Sequence, residues 1–177
     1  RHLELAGESE AAAGEYLGAA THAMHVGSMG DALHQLNRCL RLYSPQQHRE
    51  RFAVHLLRVE ALRPMAKRPL QLREIEALMR EALALGEPGM LATAHARITD
   101  FRIEQGNLQE ATTSVEPALR YAREAEDKLA EAEALRLQSS IYRLQGKSGP
   151  ALQTCDEALA LAQSHPQALE ERAQILN

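Results

Sequence analysis

The sequence predicts an all-α fold, a right-handed superhelical solenoid of stacked antiparallel helix hairpins, and three observations carry that prediction. A pattern of glycine, alanine and leucine recurs along the chain. Within each copy the apolar residues fall at helical rather than strand spacing. The composition supplies small aliphatic side chains in place of aromatic ones: 45% of the 177 residues are hydrophobic, only 3% are aromatic, and Trp is absent. Leu and Ala must therefore provide most of the buried surface, which suits closely approaching helices.

The recurrence is anchored on Gly27, Gly106 and Gly146. Five residues after each glycine stands alanine (Ala32, Ala111, Ala151), and nine after stand Leu36, Val115 and Cys155. Twelve and thirteen after stand Cys39-Leu40, Ala118-Leu119 and Ala158-Leu159, and fifteen after stand Leu42, Tyr121 and Leu161. Offsets 5, 9, 12 and 13 share one helical face, so each glycine is expected in a tight turn before a helix with a buried stripe. Seven residues before the glycines are the small Ala20, Thr99 and Ser139, and eleven before are the bulkier Tyr16, His95 and Leu135. Each copy is thus a hairpin, helix A followed by helix B. A degenerate copy starts at Leu70, with Ile75, Met79, Ala82-Leu83 and Leu85 on its stripe, so the anchors lie 43, 36 and 40 residues apart. Hairpins stacked at such intervals bury their faces only against their neighbours.

In chain order, helices are expected at 9–27, 29–43, 47–63, 70–86, 89–105, 108–125, 128–145, 149–164 and 167–176, with the end of an earlier helix at 1–6. Residues 1–177 then form one helical-repeat domain with four hairpins, 9–43, 47–86, 89–125 and 128–164, and partial helices at both ends. Pro64 and Pro69 stretch the turn of the second hairpin, because neither can continue a helix. Pro117 falls inside the helix of TTSVEPALRYAREA, where it removes a donor and predicts a kink costing about 3 kcal/mol unless packing compensates. Ser148 is expected as an N-cap, with Pro150 in the first turn, where a missing N–H costs nothing.

Several function classes are excluded or disfavoured by the same reading. Gly146-Lys147-Ser148 resembles the end of a phosphate-binding loop, but that loop needs glycine where Ile141 stands, and the preceding residues are helical rather than a strand. The formal charge is -4, from 20 basic and 24 acidic residues, with no long basic run, so direct nucleic-acid binding is not expected. No segment has the ~18 uninterrupted apolar residues of a membrane span, and no signal-peptide pattern opens the chain. Membrane attachment is therefore not expected, and the cytoplasm is the expected location. Cys39 and Cys155 both fall on apolar stripes, which predicts a reduced, buried pair. His22 and His25 are spaced to share a metal, but two ligands are too few. No HExxH, GxSxG or nucleophile signature is present. Neither an enzymatic activity nor a cofactor is expected.

These offsets resemble the tetratricopeptide repeat over residues 9–164: the small residue and glycine of helix A match, as do the Ala, bulky and Ala-Leu positions of helix B. The aromatic signature is mostly missing and the period is longer. The longer, Ala/Leu-rich variety is similar to the helical-repeat region of large bacterial signalling ATPases, among them the MalT-like, LuxR-type transcription activators and ATPase-linked cyclases or kinases. The opening RHLELAGESEAAAGEYLGAATHAM strengthens this likeness. His2-Leu3-Glu4, Ala6-Gly7, Tyr16 and Ala19-Ala20 resemble the segment through which the ATPase module of that group passes into its repeats.

The resemblance implies a concave inner face lined by A-helix residues. Spacing of three to four residues puts Leu17, Thr21 and Met24 there, then Ala96, Asp100, Ile103 and Glu104, then Arg136, Ser140 and Arg143. Leu17 and Thr21, Ala96 and Asp100, and Arg136 and Ser140 occupy the places where chaperone-binding members carry Lys and Asn, and none reproduces that pair. Arg136 and Arg143, two turns apart, are candidates for an anion or acidic peptide. The alternative for them is an ordinary solvated charged face paired with neighbours such as Glu133. The expected role is binding of a protein or polar small molecule on the concave face, regulating a linked signalling ATPase or transcription regulator. A passive protein–protein scaffold is the competing reading. Incomplete end repeats are also expected to self-associate.

Overall fold

The computed structural model describes residues 9–164, and every regular element among them is helical. The helices are α1 (Ser9–His25), α2 (Met29–Leu42), α3 (His48–Leu62), α4 (Arg68–Leu85), α5 (Pro88–Glu104), α6 (Leu108–Glu124), α7 (Lys128–Leu144) and α8 (Ser148–Gln163). The predicted helices agree with these to within a few residues. The helix expected at 167–176, the helical end at 1–6 and the junction residues His2–Gly7 lie outside the described residues. The chain divides between Leu85 and Gly86 into two compact units. In the first, α1 packs on α2 and α3 on α4, with α2 also against α3; in the second, α5 packs on α6 and α7 on α8, with α7 lying against both α5 and α6.

The three anchoring glycines all turn the chain in the left-handed region, with φ of 79° at Gly27, 76° at Gly106 and 75° at Gly146. The hydrogen bonds around them share one form. At Gly106 the glycine N–H donates to the Ile103 carbonyl and the next N–H, of Asn107, reaches back to Arg102. The same pair of bonds joins Gly27 and Ser28 to Met24 and Ala23, and Gly146 and Lys147 to Arg143 and Tyr142. This is the Schellman ending, which satisfies carbonyls that the helix end would leave open. The α6–α7 turn makes it too, Glu126 donating to Arg123 and Asp127 to Ala122, but with Glu126 at φ 55°.

The stripes are buried as their spacing requires. Ala32, Ile75, Ala111 and Ala151 are buried at the first stripe position and Cys39, Ala82, Ala118 and Ala158 at the third. On the facing A helices Tyr16, Ala20, Thr99 and Leu135 are buried. The small polar residues there make bonds that an alanine would not. The Thr99 hydroxyl lies 2.9 Å from Ser114 Oγ, and Ser139 Oγ donates to the Ala151 carbonyl at 2.7 Å.

Three expectations need correction. Ser148 is the first residue of α8 and not its cap; Lys147 holds the cap position and no side chain bonds there, whereas Asp127 caps α7 by accepting from the Leu129 and Ala130 N–H groups. Cys39 is buried but Cys155 is exposed, because it stands at the edge of the face that α8 packs on α7, where no further described helix covers it. Leu83 and Leu159, at offset 13, are exposed. That offset lies about 220° around the helix from the glycine, against about 120–180° for offsets 5, 9 and 12, so it stays covered only where a further helix reaches it. Through Pro117, α6 runs on as one helix from Leu108 to Glu124.

A non-glycine residue at Glu126 is held in a conformation that costs an L side chain about 1 kcal/mol. Glu126→Gly should therefore raise stability by about 0.5–1 kcal/mol. Gly106→Ala should lower it by about 1 kcal/mol through strain alone, since an added Cβ meets nothing within 4 Å. Urea denaturation of both variants checks the pair of opposite signs.

Candidate functional site

Two features of the structure bear on function, a set of partly buried ion pairs in the first unit and a groove in the second that no other described helix fills. The ion pairs join α3 to α4. On α3, His48 and Arg51 recur seven residues later as His55 and Arg58, so both pairs lie on one face two turns apart. On the antiparallel α4, Glu81 and Glu74 are likewise seven apart and meet them in reverse order. Glu81 receives Arg51 Nε at 2.9 Å and lies 2.6 Å from His48 Nδ1. Glu74 receives Arg58 at 2.6 and 2.8 Å and lies 2.8 Å from His55 Nδ1. Arg58 also bonds Asn37 of α2, which ties the two hairpins of this unit together. Burial alone would push the Glu74 carboxyl up, but the hydrogen bonds and charges of His55 and Arg58 outweigh it and hold the group at about 2. Glu81 is lowered by the same balance. All the polar atoms of both carboxylates face these partners, so the arrangement is a clamp between helices, and the spacing of His48, Arg51, His55 and Arg58 was its signal in the sequence.

The groove lies between α7 and α8. Each helix contributes residues at i, i+3, i+4 and i+7: Leu129, Ala132, Glu133 and Arg136 from α7, and Cys155, Ala158, Leu159 and Ala162 from α8, around a space of about 540 Å³. The floor is apolar. Glu133 is already engaged, accepting from Arg97 of α5 at 2.6 Å, while Arg136 is exposed at the wall.

The preceding hairpin explains the shape of this groove. Moved back by the 40 residues that separate Gly146 from Gly106, the positions of Ala132, Arg136, Cys155, Ala158, Leu159 and Ala162 become Ala92, Ala96, Val115, Ala118, Leu119 and Ala122. All six of those are buried, and α7 lies on them. Ala130 packs with Ala92 and Ala122, Ala134 with Ala118 and Leu119, and Leu137 and Ile141 with Ala96 and Val115. The α5–α6 groove therefore holds a helix, and the α7–α8 groove is its counterpart in the next copy.

The residues expected on the inner A-helix face fall in both units. In the first, Leu17, Thr21 and Met24 are half-buried on α1, and the Thr21 hydroxyl is turned to the Leu17 carbonyl at 3.0 Å. In the second, Asp100 and Glu104 are half-buried on α5, Ser140 is half-buried on α7, Ala96 is buried, and Arg136 and Arg143 are exposed. Arg136 is shared with the groove, a role its helical spacing alone did not indicate. His95 stacks on Tyr121 with ring centroids 5.7 Å apart; burial, with Arg120 and Arg102 nearby, lowers its pKa. No cluster of three or more His, Cys, Asp or Glu suited to a metal ion occurs among the described residues, and none of their helices is long and apolar enough to cross a membrane.

The Glu74 clamp has a defined acid dependence. Its carboxyl sits below its unfolded value, so its contribution is present above about pH 4.5 and is lost as pH falls toward 2. Glu74→Gln should cost about 2–4 kcal/mol at pH 7, because Arg58, half-buried, loses its countercharge. It should also flatten the fall in stability between pH 4.5 and 2, measured by urea denaturation across that range. Comparison with known proteins adds no assignment: no family model matches the chain, and no curated protein matches it.

Proposed function

We propose that this chain is a tetratricopeptide-like protein-interaction module, its hairpins being units of a right-handed superhelical array, that regulates a linked signalling ATPase or transcription regulator. The observation that carries the interaction role is the open groove between α7 and α8, apolar on its floor and equivalent in register to one that already holds a helix. The charged residues support the same role, since the Arg136 and Arg143 side chains are exposed on one face of α7 and suit an acidic partner. The regulatory part of the reading rests on the resemblance of residues 2–20 and of the repeats to the signalling ATPases.

The inner-face residues Leu17, Thr21, Met24, Asp100, Glu104, Arg136, Ser140 and Arg143 are the proposed contacts. The mixture of charges favours a protein segment or a polar small molecule over a lipid, and the scarcity of aromatics disfavours stacked bases.

Reversing Arg136 and Arg143 to Glu together should weaken binding of an acidic peptide, for which a Glu-rich decapeptide is a suitable calorimetric probe, by at least tenfold. Folding stability should change by less than about 1 kcal/mol, since both side chains are solvated. Unchanged binding, or unfolding of the variant, removes these arginines from the site. The regulatory reading predicts that the natural reading frame also encodes a nucleotide-binding ATPase domain; a frame without one favours a passive scaffold.

A further inference from the structure

We propose that the turn between α3 and α4, with the first residues of α4, is a docking loop for an acidic segment of a partner protein. The loop lies in the first unit and shares no residue with the α7–α8 groove. It goes beyond the interaction reading above by naming a further surface and the chemistry of its partner.

The turn departs from the repeat in its length. Three residues join α1 to α2 (26–28), α5 to α6 (105–107) and α7 to α8 (145–147), each with a left-handed glycine, whereas five (63–67) join α3 to α4. Ile75 and Ala82 of α4 are buried like their equivalents in the other copies, so packing of the hairpin does not account for the extra residues. Insertions between the helices of a repeat fall on loops at one face of the array and commonly carry its contacts. This loop is also held in place. Pro64 and Pro69 fix two φ angles, the Ala66 N–H donates to the Arg63 carbonyl at 3.2 Å, and the Arg68 N–H donates to the Ala66 carbonyl at 2.9 Å. A loop ordered in advance has less conformational freedom to lose on binding.

The chemistry of the loop is of one sign. Residues 61–73 contain four Lys or Arg and no Asp or Glu, in a chain whose formal charge is -4. The next carboxylate, Glu74, is committed to His55 and Arg58. Arg68 bonds Gln71, so the cations assigned to the partner are Lys67 and Arg73, both exposed. Between them Leu70 is 45% exposed, with Pro69 exposed beside it. Two cations about 9 Å apart along the helix axis thus flank an apolar step. The complementary surface is a segment with carboxylates on either side of an apolar residue. No aromatic residue lies within 61–73 to stack bases, and a lipid surface calls for a larger cluster of cations.

The test uses the full chain carrying Arg136→Glu and Arg143→Glu, which silences the acidic-peptide site proposed above. The probe is a fluorescent decapeptide of glutamate with leucine at every third place, and its control has glutamine for glutamate. Anisotropy should show the acidic peptide bound at least tenfold more tightly than the control, the difference fading between about 50 and 200 mM salt. Adding Lys67→Glu and Arg73→Glu should weaken the acidic peptide at least tenfold and leave the urea midpoint unchanged. Exchanging Arg63–Lys67 for Gln-Gly-Asn, the turn between α5 and α6, should weaken it at least fivefold. Four results overturn the proposal: both peptides bind alike, the Lys67 and Arg73 variant binds as its host does, that variant unfolds, or the loop exchange binds unchanged. Vesicles of equal parts phosphatidylserine and phosphatidylcholine, or oligothymidine, could instead bind more tightly than the peptide and lose binding with Lys67→Glu and Arg73→Glu, which reassigns the loop to a lipid surface or a nucleic acid. The inner-face reading is judged by comparing the host with the unaltered chain, and the loop only within the host, so the two fail separately.

Discussion

Alanine at the contact points between helices is the constraint on which the rest of this structure depends. With few aromatics, the helices must approach closely to bury enough surface, and close approach is possible only where the facing side chains are small. Ala32, Ala111 and Ala151 supply that contact inside three of the hairpins, and Ala118, Ala122 and Ala92 supply it where α7 meets the hairpin before it. The left-handed turns at Gly27, Gly106 and Gly146 set the start of each B helix, which fixes the phase at which its alanines face the A helix. A shift of one residue would turn the stripe by about 100° and bring larger or charged side chains to the contact.

Because each contact is small, the hairpin of α5 and α6 relies on the next helix, α7, for the outer side of its stripe. This accounts for the difference between α6 and α8, which share a sequence pattern and not a burial pattern. Val115 and Leu119 lie beneath α7, while Cys155 and Leu159 at the same offsets are exposed. Among the described residues the α7–α8 groove is thus the uncovered counterpart of the interface that α7 fills in the copy before it. The hairpin of α3 and α4 departs from this scheme, its apolar stripe supplemented by the clamp of Glu74 and Glu81 with His55, Arg58, His48 and Arg51. Its turn holds Ala66 at φ 53° where the other hairpins have glycine.

The helices and their inward faces were legible in the sequence because they follow from local spacing and from glycine's access to the left-handed region. The exposure of Cys155 and Leu159 was not, since burial at the edge of a stripe depends on whether another helix lies over it, and the stripe is the same in either case. The capping of α7 by Asp127 in place of a cap at Ser148 turns on a one-residue difference in where a helix begins, which propensity does not resolve. The Glu74 clamp was present as a heptad of His and Arg on α3 matched by two glutamates on α4, but such a pattern is read only once the two helices are known to run antiparallel in contact. Arg136 was identified as a candidate from its place on helix A; its position on the groove wall depends on the angle between α7 and α8.

The account's central claim is that α7 covers the stripe of the hairpin before it, at positions whose equivalents on α8 are exposed. The most direct measurement compares thiol reactivity at two such positions, Cys155 and a cysteine introduced by Val115→Cys, each as the only exposed-stripe thiol with Cys39 replaced by Ala. The account predicts that the thiol at 115, beneath Leu137 and Ile141, reacts at least a hundredfold more slowly than Cys155 under native conditions, and that the two rates converge in denaturant. Equal native rates at the two positions would contradict it.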